Sequence, residues 1–185
     1  MKHPSTRAFF AYWDEKRAGA RAPDRSEIEP AAVRELLGDI FVLSYDTPAG
    51  YPFRVAGTRV CALLGSDLRD RSFSELFARD GRREIEEIIT VVAEELLPAV
   101  AGITATSQDG SSAHLELLLL PFNARAHAPI SLTGLLAPFG SEHGPLRDFE
   151  VTSWRYLSQP PQRLVPRALR KLKVARGFMV YEGLR

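Results

Sequence analysis

The chain is 185 residues long, with 24 Lys and Arg against 23 Asp and Glu, a net charge of +1, and 45% apolar residues. That is the composition of one ordinary globular domain, large enough to bury about 70% of its unfolded surface without a metal or disulfide staple. The single cysteine, Cys61, excludes an intrachain disulfide and any multi-cysteine zinc or iron–sulfur site.

In chain order, Thr6 to Ala18 is predicted as a short helix, because Phe9, Tyr12, Trp13 and Lys16 recur at helical spacing. Gly19 stops it, and Pro30 opens a second helix running to Leu37, closed by Gly38. The period then changes. Ile40 to Tyr45 is a short apolar, β-branched run that predicts a buried strand, and Phe53 to Gly57 alternates as its hairpin partner. Thr58 is the expected N-cap of a helix from Arg59 to Leu64, ended by Gly65. The clearest element is Asp80 to Leu97, where Ile85, Ile88, Ile89, Val92 and Leu96 form one stripe. The pairs Glu86/Glu87 and Glu94/Glu95 then belong to a solvated face. Strands are predicted over Ala99 to Thr106, Ala113 to Phe122 and Ile130 to Phe139, with Asp109-Gly110 as the turn between the first two. This order, with five predicted strands, predicts an α+β fold with an antiparallel sheet. Three segments follow: an N-terminal helical extension over 1–38, a core over 39–140 and a C-terminal extension over 141–185.

The charge is unevenly placed. From Arg155 onward stand eight basic residues against one acid, Glu182, so a basic extension of +7 follows an acidic body of −6. Such a tail suits nucleic acid, an anionic surface, the acidic body itself or solvent. The first eleven residues lack the apolar core of a secretory signal, and the longest strongly apolar run, Leu117 to Leu120, is far too short to span a membrane. A cytoplasmic protein without a membrane span is expected.

Three stretches carry a resemblance: "YW…RAGARAPDRSEIEP" from Tyr12 to Pro30, "FRVAGTRVCALLGSDLRDRSF" from Phe53 to Phe73, and "LELLLLPF" from Leu115 to Phe122. Together with the element order they resemble a bacterial, mainly α-proteobacterial, family of single PAS domains formerly listed as a domain of unknown function. The resemblance covers roughly residues 8 to 140. It implies a PAS-like five-stranded antiparallel sheet with helices on one face, a sensory or protein-interaction module with no catalytic residues, a small-molecule pocket between sheet and helices, and dimerisation through a leading helix. On that basis the pocket is expected among Phe53, Leu64, Phe73, Ile89, Leu117 and Leu135, with Arg59 as its polar contact. Phe9, Tyr12 and Trp13 either cover the back of the sheet or form the dimer contact, and the second is preferred. Homodimerisation and an unidentified signalling protein are the expected partnerships, with nucleic acid only through the basic tail.

Individual residues narrow the chemistry. Cys61 lies among Val60, Ala62, Leu63 and Leu64, without the Asn, Arg and Gln that surround a flavin-reactive cysteine, so flavin is not expected. Haem is not expected either, because the long helix lacks histidine; the four histidines are His3, His114, His127 and His143. His114-Leu115-Glu116 is an H-x-E without the P-C-x-x-C that zinc deaminases require. Glu116 enters an apolar strand and therefore needs a partner; Arg54, or else Arg59, is the expected one. A small enzyme on a cone-like α+β sheet, and a nucleic-acid module led by the tail, are the alternative readings.

Overall fold

The computed structural model describes residues 1–124, 130–140 and 145–157, and the backbone of two strands at 169–175 and 178–183. His127, His143, Leu164, Arg163, Arg167, Arg176 and Arg185 lie outside the described residues, as do the side chains of the other tail cations beyond Leu157.

The first helix, α1 (Pro4–Arg17), starts two residues before the predicted boundary. His3 caps it, its Nδ1 accepting from the Ser5 N–H at 3.1 Å, and Pro4 occupies the first turn, where a missing N–H costs nothing. Pro30–Leu36 forms a 3₁₀ helix kinked at Val33, where the sequence predicts a regular one. The strands β1 (Ile40–Ser44) and β2 (Phe53–Ala56) pair as predicted. Helix α2 (Thr58–Leu64) begins one residue early: Gly57, not Thr58, is its N-cap. A Cβ at Gly57 would stand 2.1 Å from the Leu37 carbonyl, which explains glycine at that joint. Helix α3 (Arg82–Glu95) buries Ile85, Ile88, Ile89, Val92 and Ala93, and its carboxylates Glu87, Glu94 and Glu95 face solvent as expected.

Three long strands follow, β3 (Ala99–Thr106), β4 (Ser112–Pro121) and β5 (Ser131–Pro138). A sixth, β6 (Arg147–Tyr156), lies beyond the predicted five. The antiparallel sheet runs β2-β1-β5-β4-β3-β6. The sheet thus continues past residue 140, and Leu146 and Phe149 enter the main core. Strands β7 (Leu169–Ala175) and β8 (Phe178–Gly183) form a separate antiparallel pair.

Both faces of the sheet are covered, where one was predicted. Alternation along β4 sends Leu115, Leu117 and Leu119 toward α2 and α3, and Leu118 and Leu120 toward α1. The chief anchors of α1 on this second face are Phe9 and Trp13, each 1% exposed. No helix of the described residues is long and apolar enough to cross a membrane.

Candidate functional site

The helical face gathers most of the residues expected to line a pocket. Phe53, Leu64, Phe73, Ile89 and Leu117 all belong to the core between the sheet and α2 and α3. Aromatic rings fill much of this layer. Phe41 lies 5.6 Å from Phe53 and 5.4 Å from Phe73, and the row continues through Phe77 to Phe149 at 5.6 and 5.8 Å. Gly134 makes room for it: a Cβ there would stand 2.3 Å from the Phe41 ring. Leu64 also borders a surface cleft of about 270 Å³, edged by Arg71, Arg79, Arg82 and Arg147.

Two of the expected pocket residues are elsewhere. Leu135 packs on the opposite face with Phe9 and Trp13, because the neighbouring Gly134 and Leu136 take the helical side and a strand alternates. Arg59 lies at the surface and clamps Asp39 with both prongs, Nε to Oδ1 at 2.6 Å and Nη2 to Oδ2 at 2.7 Å. Its third contact is the Glu35 carbonyl at 2.7 Å. The hydrogen bond to Asp39 raises the Arg59 pKa, against the opposing effect of burial. This clamp fastens the segment before β1 to the start of α2. Nothing in the local sequence pattern marks Asp39 as buried.

The most constrained polar group lies behind the sheet. Glu116 is 5% exposed on β4, and its carboxylate accepts from the Lys2 N–H at 2.6 Å, the His3 N–H at 2.9 Å and the Thr6 hydroxyl. Burial opposes its charged form, but the Thr6 hydroxyl and the two backbone N–H groups outweigh it and hold the pKa below the ordinary glutamate value. The chain therefore presents a carboxylate to the positive end of α1, where N–H groups lack helical acceptors. Arg54 is not its partner: it is exposed on β2, with β1 and β5 between. Glu116 has the partners its apolar strand demands, but they are chiefly backbone donors, which carry no residue signature, and not the expected cation. Thr6, buried at 0% exposure on the first turn of α1, is the one side chain that donates to it, and nothing in the local sequence pattern marks it.

Phe9 and Trp13 also differ from their preferred role. Both are buried against their own sheet, Trp13 donating from Nε1 to the Pro121 carbonyl at 3.0 Å. They cover its back and are not exposed for a second subunit. Tyr12, beside them, stays half-buried and its hydroxyl accepts from the Glu29 N–H at 2.8 Å. Cys61 is half-buried on α2, its sulfur 3.9 Å from the Ala56 carbonyl. Among the described residues no group of three His, Cys, Asp or Glu is arranged to hold a metal ion.

A family model described as PAS domain matches residues 1–137. No curated protein matches the chain. Several solved structures are similar. The PAS domain of an HTR-like protein from Haloarcula marismortui is 19% identical, with a TM-score of 0.44, covering 59% of this chain and 90% of that one. The light-state structure of the blue-light photoreceptor Aureochrome1 LOV is 13% identical, TM-score 0.44, covering 60% and 88%. A light-oxygen-voltage domain studied with a flavin analogue is 13% identical, TM-score 0.47, covering 60% and 84%. With the family model spanning α1 to β5, the chain belongs to the PAS domain family.

Proposed function

We propose that this PAS domain is a noncatalytic sensory module that binds a small molecule, or a protein partner, or both, and signals through homodimerisation. The observation that carries the reading is how its buried carboxylates are used. Asp39 and Glu116 are both engaged in bonds that fasten one element to another, Asp39 to Arg59 and Glu116 to the first turn of α1. A carboxylate held by three donors below its ordinary pKa is a poor proton carrier near neutrality. It is well suited to holding α1 on the sheet. In this reading the domain passes its state to another chain through the dimer contact.

The dimer contact belongs at the β2 edge. There, beyond the bonds that tie Phe53 to Asp70 and Arg71, Val55 is 55% exposed, and Leu37, 40% exposed, adjoins Gly57 at the end of the strand. Light scattering after size exclusion is expected to give a dimer at micromolar concentration, dissociated by Val55→Glu with the fold retained. A wild-type monomer at that concentration overturns the dimeric reading.

A further inference from the structure

We propose that the back of the sheet carries a groove for a small organic anion with a flat apolar body, received by Lys2, His114 and Arg155 over a floor opened by Gly102. The groove lies on the face away from α2 and α3, encloses about 680 Å³, and is lined by these four residues together with Glu116 and Ser153 among others.

The register of the strands explains its shape. Directly opposed residues in a sheet share a face. One row crosses β4, β3 and β6 as Leu118, Val100 and Arg155, and the next as Glu116, Gly102 and Ser153. A third begins with His114 and Thr104 and ends at Glu150, which does not line the groove. The middle row has no side chain at its centre, so the floor sinks at Gly102, between Glu116 and Ser153. The N-terminal residues Met1 and Lys2 form one wall, and Phe139, 49% exposed, contributes an apolar margin.

Charge decides the class of ligand. The one carboxylate in the lining, Glu116, already accepts three hydrogen bonds from the N-terminal segment. The side chains of Lys2, His114 and Arg155 have no hydrogen-bond or ion-pair partner among the described residues. Free donors, the Lys2 ammonium and the Arg155 guanidinium beside the His114 imidazole, around a partly apolar groove match an anionic head on a flat body, and the guanidinium fork fits either a carboxylate or a phosphate. Lys2 belongs to the segment that Glu116 holds, so an occupant would help keep α1 on the sheet. This consequence for signalling rests on the proposed sensory role; the binding does not.

The test is a titration of the isotope-labelled full chain with naphthoate, naphthyl phosphate and neutral naphthol, read from backbone amide resonances. At least one anion is expected to shift the Gly102, His114 and Ser153 amides saturably, with naphthol about tenfold weaker or more. Which anion binds tells carboxylate from phosphate. Gly102→Val should abolish the shifts: its Cβ would meet only the rotatable Ser153 and Thr152 hydroxyls at 3.0 Å, and the backbone there needs no positive φ. Arg155→Gln changes an exposed residue, remains informative if the first variant misfolds, and should weaken binding about tenfold. The proposal is overturned if neither anion shifts these amides, if naphthol binds as well as the anions, or if Arg155→Gln binds unchanged. Binding by a chain that stays monomeric would leave the groove standing and overturn the dimeric reading instead.

Discussion

Glu116 is where one residue governs the arrangement of two elements. Its lowered pKa means that its contribution to stability is present above the ordinary glutamate range and is lost as pH falls through the lower folded value. Glu116→Gln keeps the shape and removes the charge, and one amide oxygen cannot replace two carboxylate oxygens. We expect a loss of about 2 kcal/mol at neutral pH, shrinking toward zero in acid, measured by urea unfolding across a pH series. A difference that stayed constant with pH would show that the charge is not what holds α1. The need for a partner was legible in the sequence, because a carboxylate amid leucines has few alternatives. The partner's identity was not, since it consists mainly of two peptide N–H groups 113 and 114 positions away.

At the scale of elements, α1 shows how an amphipathic pattern can be read correctly and assigned to the wrong neighbour. Helical spacing placed Phe9 and Trp13 on one side but left open which surface they meet, the sheet or another copy. Its own sheet supplies Val100, Leu118, Leu120, Leu135 and Ala137, which need cover. Trp13 is buried, donates a hydrogen bond to Pro121 and lies under the Arg17 guanidinium at 5.6 Å. Trp13→Ala is therefore expected to cost about 3–5 kcal/mol, lower the melting temperature and free the α1 amides for hydrogen exchange. A variant that lost only its dimer, with unchanged stability, would return Trp13 to a subunit contact.

At the scale of the whole molecule, the family match ends at residue 137 while the sheet continues through β6. Phe149 on β6 is 1% exposed and closes the aromatic row against Phe77, and Leu146 is 4% exposed. A chain ending at residue 140 should thus lose the equivalent of a large core truncation, about 3–5 kcal/mol or more, and fail to unfold cooperatively. One ending at residue 157 keeps the six-stranded sheet and should melt near the full-length temperature. Calorimetry of the two truncations checks this, and equal stability would show that β6 is dispensable.

By itself, the sequence determined the α+β class, the first five strands, the long helix α3 and the PAS resemblance, because these depend on local periodicity and short patterns. It also determined the division into an acidic body and a basic extension. Tertiary structure alone decided which side of the sheet each element covers, what satisfies Glu116, that Arg59 clamps Asp39, and that the residue-147 segment joins the sheet. The physical reason is the same in each case. Alternation along a strand says that a residue faces one side or the other, but the identity of the opposing surface comes from contacts between residues far apart in the chain.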